Sequence, residues 1–379
     1  MGDNMLRKFK VSNYKNFNDE VIVDFTNKHD YQYNQYCVKD DLISKMLVLG
    51  TNASGKSNLG YALFDIVLSL TDNQTNEHQT DELSFLNGYS NKKYASFSYE
   101  FSNGKKIILF EYKKTRPTEF LEESLFIDGQ LVYTYNYKNS TGNFENMNLI
   151  NADTLTIESI ESSLSVLRFI ANNSNQQEDS DVNFIINFAK NMLWFRATQD
   201  GNAYIGLLNG RENINQYIIN NNLLNEFESF LRELGDIEIR LKAAKVETLP
   251  ESESILVQII GKQPVIFNEV ASSGTKALEL LFFWNSYFDK ISFLFIDEFD
   301  AFYHYELSKK VLKFIAELNN VQAMLTSHNT SLISNTILRP DCYLNISNGK
   351  VAPFTSLTNR ELRVVHNLEK MYRNGEFNE

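Results

Sequence analysis

The 379-residue sequence contains only two cysteines, Cys37 and Cys342. Two cysteines make neither a disulfide framework nor a cysteine-ligated metal site, which suits a reducing compartment. No uninterrupted apolar run approaches the roughly 20 residues that a membrane-spanning helix needs, and no apolar segment follows Met1. These absences predict a cytoplasmic protein that is not embedded in a membrane.

An excess of positive charge is also absent, because 36 Lys and Arg stand against 48 Asp and Glu and give a net charge of -12. A surface of this sign repels nucleic acid as a whole. Any contact with DNA would therefore need a local basic patch or a partner of different charge.

Apolar and aromatic residues are plentiful: 43% of the residues are hydrophobic, and the chain has 28 Phe and 19 Tyr. A chain of this length and composition buries a full core and forms one large domain or two modest ones. The motifs divide it into an N-terminal lobe over residues 1–150, a segment with helical spacing over 151–250, and a C-terminal lobe over 251–379.

A glycine-rich loop lies between the apolar run of residues 46–49 and a helical stretch. It reads G-x-x-x-x-G-K-S, and the residues expected to bind a nucleotide are Gly50, Asn52, Ala53, Ser54, Gly55, Lys56, Ser57 and Asn58. Between a buried strand and a helix N-terminus, the backbone N–H groups of such a loop point into a concavity that fits a polyphosphate. We expect Lys56 to reach the β- and γ-phosphates of ATP, and the Ser57 hydroxyl to hold the accompanying Mg²⁺.

Two carboxylates follow the apolar strand predicted over residues 291–296. Asp297 and Glu298 thereby lie at the carboxyl end of a buried strand, where parallel sheets place their ligands. We expect Asp297 to bind the magnesium ion through water. Glu298 is predicted to orient and deprotonate the water that attacks the γ-phosphate, so the chain is predicted to be an ATPase.

A second buried strand, predicted over residues 321–326, leads to Ser327 and His328. Between Glu298 and His328 there is enough chain for one crossover helix, which returns His328 to the same edge of the sheet. A histidine at that edge can donate a hydrogen bond to a γ-phosphate oxygen, so His328 is predicted to be catalytic.

Ser272, Ser273 and Gly274 precede a helix predicted over residues 277–288. Serine hydroxyls, a glycine and a helix N-terminus make a second anion site. One subunit has no use for two such sites around one nucleotide.

The other patterns predict the elements around these motifs. Two strands are expected within residues 5–25, and hairpins are expected at Asn103-Gly104 and Asp128-Gly129. Residues 71–82 are polar and predicted to form an exposed loop. Helical spacing over about 154–245 predicts a helical insert, with its first clear example at Ile157, Ile160, Leu164 and Leu167.

Together these motifs resemble the ABC-type ATPases of the SMC, RecF and OLD group, which are described broadly as AAA ATPases. The resemblance covers about residues 5–70 and 265–379. Residues 13–17 are similar to the family's N-F-K-S-F opening segment, residues 272–274 to its signature loop, and His328 to its switch histidine.

The resemblance implies an α/β fold: a P-loop ATPase head with an antiparallel β subdomain and a helical insert. It also implies nucleotide contacts from Lys15 and Asn16. In this family two subunits pair head to tail, and the signature loop of one covers the γ-phosphate bound by the other. A homodimer or higher homo-oligomer is therefore expected, with Ser272, Ser273 and Gly274 acting in trans.

The C-terminal residues 363–377 resemble the tail of small bacterial ATPases encoded in anti-phage and abortive-infection pairs. This implies a sensor or scaffold that regulates a separate effector, commonly a TOPRIM-like or other nuclease, in response to a phage protein or DNA. No TOPRIM acidic cluster follows the ATPase motifs, so nuclease activity is expected on the partner.

Two other function classes stay open at this point. The first is an SMC- or RecF-like ATPase of DNA repair or chromosome maintenance, which a basic groove across the dimer would favour. The second is the nucleotide-binding subunit of a transporter. The sequence lacks the sustained heptads of long coiled-coil arms, and it has no recognisable coupling loop.

Overall fold

The computed structural model describes residues 4–72, 82–198, 201–207, 213–245 and 254–377. The strands are β1 (Met5–Ser12), β2 (Val21–Asp24), β3 (Val38–Lys39), β4 (Leu42–Ile43), β5 (Lys45–Leu49), β6 (Ala95–Asn103), β7 (Lys106–Arg116), β8 (Glu119–Ile127), β9 (Gln130–Asn136), β10 (Thr141–Asn143), β11 (Met192–Thr198), β12 (Gly201–Gly206), β13 (Leu241–Lys245), β14 (Ser254–Ile260), β15 (Gln263–Ile266), β16 (Phe293–Asp297), β17 (Gln322–Ser327), β18 (Tyr343–Ser347) and β19 (Lys350–Pro353). The helices are α1 (Lys56–Leu63), α2 (Asp65–Leu70), α3 (Val166–Asn173), α4 (Asp181–Lys190), α5 (Ile214–Asn220), α6 (Leu224–Gly235), α7 (Phe267–Val270), α8 (Ser273–Asn285), α9 (Tyr305–Ala316) and α10 (Leu368–Arg373). None of these helices is long and apolar enough to cross a membrane.

A central sheet carries the phosphate loop, which is the G-x-x-x-x-G-K-S segment of residues 50–57. Its order is β12-β11-β16-β17-β5-β18-β19, and the five strands from β11 to β18 in that order are parallel. β5, β16 and β17 are buried along their whole length, as expected for strands covered on both faces. The α9 crossover joins β16 to β17, so the predicted return of the chain to the same sheet edge is confirmed.

A second, antiparallel sheet has the order β10-β9-β8-β7-β6-β1-β2. Burial alternates along β6 and β7, which is typical of a sheet with one face on a core. Both predicted hairpins form, with positive φ at Gly104 (61°), Asp128 (48°) and Gly129 (77°). The predicted antiparallel subdomain is thus confirmed. Of the loop predicted at residues 71–82, residues 73–81 lie outside the described residues.

The predicted helical insert is only partly helical. Helices α3 to α6 lie within residues 154–245, but β11 and β12 in the same stretch join the central sheet. β11 runs parallel to β16, from the pair Met192 with Phe293 to the pair Arg196 with Asp297. The helical prediction is therefore wrong for β11 and β12, because an apolar run such as Met192–Phe195 fits a buried strand as well as a helix. It is also wrong for β13 (Leu241–Lys245), which pairs with β14.

The helix predicted from the spacing of residues 157–167 begins only at Val166. Ser165 caps α3 by accepting a hydrogen bond from the backbone N–H of Arg168. The buried Glu123 carboxylate accepts the Leu167 N–H at 2.8 Å. Because these contacts fix the N-terminus of α3, the residues before Ser165 form a loop. Ile160 in this loop is buried in the core although its backbone is not helical.

A buried ion pair ties the antiparallel sheet to α2, which follows the phosphate-loop helix. Lys114 Nζ lies 2.7 Å from Asp65 Oδ2, and the two side chains are only 2% and 5% exposed. Tyr112 and Ser69 donate further hydrogen bonds to the same carboxylate oxygen. The pair is satisfied, so removing one partner leaves an uncompensated charge in the core.

Lys114→Met should destabilise the fold by about 3 kcal/mol or more, because it leaves Asp65 buried without its cation. Lys113→Met is a matched control, since the neighbouring Lys113–Glu122 pair is 37% and 41% exposed. The control should change stability by about 1 kcal/mol or less. Urea unfolding followed by far-UV circular dichroism measures both variants, and equal losses in the two would contradict the structural role of the Lys114 pair.

The C-terminal segment ends in a short helix, α10, followed by a turn in which Gly375 has φ of 82°. Phe377 stacks on Phe354 with ring centroids 4.2 Å apart. Of residues 363–377, which resemble the tail of the anti-phage ATPases, only Leu368–Arg373 are thus α-helical.

Candidate nucleotide site

The phosphate loop lies between β5 and α1, as the sequence predicted. Its turn uses left-handed backbone at Ala53 (φ 61°) and Gly55 (φ 107°). A Cβ atom on Gly55 would lie 2.2 Å from the Asn16 side-chain nitrogen, and one on Gly50 would lie 2.6 Å from Ile346. Both positions therefore require glycine, because neighbouring atoms leave no room for a side chain. Position 55 also requires it because of its positive φ angle.

Lys56 is buried at the start of α1. Its ammonium donates hydrogen bonds to the carbonyl oxygens of Gly50 (2.9 Å) and Thr51 (3.0 Å), so it lies across the mouth of the loop. Burial lowers the pKa of Lys56, and the nearby carboxylates of Glu298 and Asp297 act in the opposite direction. The ammonium is thus held by the loop carbonyls, with the two carboxylates close enough to act on its charge.

Asp297 ends β16 and is fully buried. One of its oxygens accepts a hydrogen bond from Thr326 Oγ1, and the other accepts one from Ser57 Oγ, both at 2.8 Å. A serine hydroxyl and a carboxylate are hard oxygen ligands of the kind that Mg²⁺ prefers. The pair predicted to hold magnesium is therefore brought together, and its donor set fits that ion.

Within the described parts of the chain, no cluster of three or more His, Cys, Asp and Glu could hold a metal ion by itself. A cation at Ser57 and Asp297 would therefore depend on other oxygen ligands, such as water and phosphate. This is the usual arrangement for magnesium bound together with a nucleotide.

Glu298 follows Asp297 with left-handed backbone, at φ of 49°. Its N–H donates to Thr326 Oγ1 at 2.8 Å, the same hydroxyl that binds Asp297. The Glu298 side chain is only partly buried. A non-glycine residue at positive φ is held there by its surroundings and is common at functional sites.

His328 is exposed immediately after β17, at the same sheet edge as Glu298. The preceding residue, Ser327, donates a hydrogen bond to Asp300 at 2.9 Å. Burial raises the pKa of Asp300, while this hydrogen bond and the nearby His328 act in the opposite direction. Asp300, which the sequence reasoning did not single out, thus places a carboxyl group beside the histidine.

Asn16 supports the phosphate loop from outside. Its amide donates to the Ser54 carbonyl at 3.3 Å and its oxygen accepts from Asn58 Nδ2 at 2.7 Å. Asn16 and Asn58 therefore meet at the loop as a linked pair. Lys15 donates to the Ser84 hydroxyl at 3.2 Å, which directs its ammonium toward residues outside the loop.

Arg196 is a member of the site that the sequence analysis missed. It lies on β11, and its Nε donates to Asp297 Oδ2 at 2.9 Å while Nη2 donates to Ser57 Oγ at 2.6 Å. Arg196 could have been found if the apolar run before it, Met192–Phe195, had been recognised as a strand parallel to β16. The guanidinium then falls beside Asp297 by strand register.

The predicted signature residues begin α8. Ser272 is the N-cap, and its hydroxyl accepts the Thr275 N–H at 3.1 Å. Ser272 and Ser273 are exposed. A Cβ atom on Gly274 would lie 3.0 Å from the Phe302 carbonyl oxygen, so the backbone here packs closely against the segment after β16.

Among curated proteins, none matches the sequence. Similar solved structures include the SMC head domain from Thermotoga maritima, with 14% identity, coverage of 92% of this chain and 98% of that chain, and a TM-score of 0.43. Another is the Smc head domain with an extended coiled coil bound to the C-terminal domain of ScpA derived from Pyrococcus furiosus, with 14% identity, coverage of 98% and 99%, and a TM-score of 0.47. The recombination mediator protein RecF with ATP has 12% identity, coverage of 93% and 100%, and a TM-score of 0.41.

A family model described as "AAA domain, putative AbiEii toxin, Type IV TA system" matches residues 46–334. The match covers more than half of the chain and includes the phosphate loop, Asp297, Glu298 and His328. The chain therefore belongs to this family of nucleotide-binding AAA domains.

Proposed function

We propose that this protein binds ATP together with magnesium and hydrolyses it. The observation that carries the proposal is the meeting of the phosphate loop, Asp297, Glu298 and His328 at one edge of one parallel sheet. Bound magnesium supplies a positive charge that stabilises the phosphate oxygens. The Ser57 hydroxyl and the Asp297 carboxylate are the groups that would hold it.

Glu298 is the proposed general base. It is fixed by its backbone hydrogen bond to Thr326, and its partly exposed carboxylate can accept a proton from a water that attacks the γ-phosphate. His328 is exposed at the same edge and can donate a hydrogen bond to a γ-phosphate oxygen as its negative charge grows. Lys56 holds the phosphates by charge-assisted hydrogen bonds.

We further propose that ATP is held between two copies of the chain. Ser272 and Ser273 are exposed at the N-terminus of α8, which has 13 residues and a favourable dipole for anions. In the paired state they would cover the γ-phosphate bound by the phosphate loop of the other copy.

The proposed role of this ATPase is to regulate a separate effector, such as a nuclease, in anti-phage defence. The family description names a toxin and a type IV TA system, which supports a toxin or its control as the output. An ATP-dependent assembly can regulate an effector only if its ATP-bound and ATP-free states bind that effector with different affinities.

The protein encoded beside this one should bind Glu298→Gln in the presence of ATP at least about fivefold more tightly or more weakly than Lys56→Ala. The first variant is expected to retain ATP and the second to lack it. Isothermal titration calorimetry with the purified neighbour measures both affinities, and Lys310→Ala, an exposed ion-pair residue, serves as control. Equal affinities, together with unchanged toxicity of the neighbour when this ATPase is co-produced, would rule out the regulatory role.

Residues 154–245, the predicted helical insert, cannot be deleted to find out whether they bind the effector. That deletion removes β11 and β12 from the central sheet together with Arg196 beside Asp297. A deletion variant that failed to bind the effector would then show only that the central sheet no longer folds.

A further inference from the structure

Asp297 carries a fully buried charge that needs a cation. Thr326 and Ser57 contribute only neutral hydroxyl groups. A buried carboxylate that lacks a cationic partner is costly. In the structure that partner is Arg196, which forms an ion pair with Asp297 and is itself 27% exposed on its side chain.

The guanidinium and a magnesium ion would compete for the same two groups. Arg196 donates to the Asp297 oxygen that Ser57 also contacts, and to the Ser57 hydroxyl itself. Magnesium binds oxygen ligands at about 2.1 Å and bears two positive charges. A magnesium ion bound to the Ser57 hydroxyl would contact the Asp297 carboxylate directly or through one water. At that position it would clash with the Arg196 guanidinium and be repelled by its positive charge.

We infer that Arg196 is a positioning residue that takes the place of the divalent cation, an inference that rests on the nucleotide site proposed above. Arg196 holds Ser57 and Asp297 together when no cation is bound. Magnesium that arrives with the nucleotide displaces it. The arginine thereby preserves the ligand geometry without metal. It also sets a threshold for magnesium, because the ion must break the Arg196 contacts in order to bind.

The strand that carries Arg196 also carries a natural reporter. Trp194 lies two residues earlier on β11, and the Arg196 guanidinium carbon is 5.9 Å from its ring centroid. Tyr61 from α1 also packs on Trp194, with the two ring centroids 5.3 Å apart. Movement of the guanidinium changes the charge close to the indole and therefore its emission.

The first measurement is tryptophan emission in the Trp284→Phe background, which leaves Trp194 as the remaining tryptophan of the two in the chain. Trp194 emission should change when Mg²⁺ is added to the ADP complex, and it should not change with ADP and a chelator. In Arg196→Met the magnesium-dependent change should be absent. ADP is used so that hydrolysis does not interfere.

The second measurement is the affinity of the ADP complex for Mn²⁺, a spectroscopic substitute for magnesium, by electron paramagnetic resonance. Arg196→Met should bind Mn²⁺ about tenfold more tightly, since it loses a competing charge-assisted contact. Arg196→Lys keeps the positive charge with a single donor group, so its affinity for Mn²⁺ should lie between those of the unmodified protein and Arg196→Met. Arg7→Met is the matched control, because Arg7 also forms a 2.9 Å ion pair at 27% exposure, but with Glu100 on the other sheet.

Unchanged Mn²⁺ affinity in both Arg196 variants, or weaker binding in Arg196→Met than in Arg7→Met, would overturn the inference. These outcomes differ from failure of the proposed function. If the unmodified protein binds neither ADP nor Mn²⁺ with ADP, the nucleotide site itself is wrong, and the role of Arg196 is rejected with it.

Discussion

Lys56→Ala should weaken ATP binding by about a hundredfold or more, because several charge-assisted hydrogen bonds to phosphate are lost at once. The structure places the ammonium at the mouth of the loop, 2.9 Å from the Gly50 carbonyl. It is therefore already beside the backbone that we propose surrounds the phosphates. Equilibrium binding of a fluorescent ATP analogue measures the loss.

The control must separate lost phosphate contacts from a damaged loop. Lys56 also bonds the Gly50 and Thr51 carbonyls, so the thermal unfolding of Lys56→Ala without nucleotide should be compared with that of the unmodified protein. Lys310→Ala should bind ATP normally. If Lys56→Ala folds normally and still binds ATP with near-native affinity, the phosphate loop does not bind the nucleotide.

Glu298→Gln should leave ATP binding intact and reduce hydrolysis by roughly 10² to 10⁴, the usual contribution of a positioned general base. Glutamine matches glutamate in size and in its tolerance for the left-handed backbone at 298, so the N–H bond to Thr326 is preserved. The amide cannot take up the proton of the attacking water.

Phosphate release under saturating ATP measures this loss, and Glu317→Gln, which changes an exposed carboxylate directly after α9, is its control. Wild-type turnover by Glu298→Gln would show that another group is the base. Asp300 is the first candidate to examine in that case, because it lies near His328 at the same edge.

The parts of this site that are predictable from sequence are those whose chemistry is local. Residues 50–57 form a contiguous motif, and Asp297 and His328 each follow a short apolar run that reads as a strand. Parallel strands joined by one crossover helix must place their carboxyl ends at a common edge. Topology alone therefore brings these groups together, as the order β16-β17-β5 confirms.

Arg196, and the contact of Asn16 with the phosphate loop, show what sequence patterns do not give. The role of Arg196 depends on the pairing of β11 with β16 across about a hundred residues, and its strand lies in a region whose surrounding spacing is helical. Asn16 acts through a contact with Ser54 that depends on how the two sheets pack. Such contacts come from tertiary packing, which overrides local propensity.

The helix predicted from the spacing of Ile157, Ile160 and Leu164 was wrong for a different reason. The α3 N-terminus is fixed at Ser165 by its own hydroxyl and by the buried Glu123, which accepts the N–H groups of α3. Apolar residues before that cap can still enter the core from a loop. Periodicity reports which residues are buried, but a cap decides where a helix begins.

A mixture of two inactive variants should recover about a quarter of wild-type ATPase activity if ATP is held between two copies in a twofold dimer. One variant is Lys56→Ala, and the other is Ser273→Arg. Half of the dimers in an equal mixture contain one of each, and in those one composite site has an intact phosphate loop facing an intact Ser273. The other site carries both lesions.

Ser273 suits this test because it is exposed at the start of α8, so an arginine there does not enter the core. At Gly274 an added Cβ would press on the Phe302 carbonyl at 3.0 Å, and a loss of activity could then reflect local strain. Lys276→Ala, an exposed neighbour on the same helix, should keep full activity and serves as the control.

A protein that carries both Lys56→Ala and Ser273→Arg gives the opposite test. Mixed with the unmodified chain it should inhibit, because each mixed dimer then has one site without Lys56 and one site facing the altered Ser273. Subunit exchange is followed by energy transfer between labelled protomers, so that each mixture is known to have formed mixed dimers. Exchange without recovery by the two single variants, and without inhibition by the double variant, would show that Ser273 acts within its own chain or not at all.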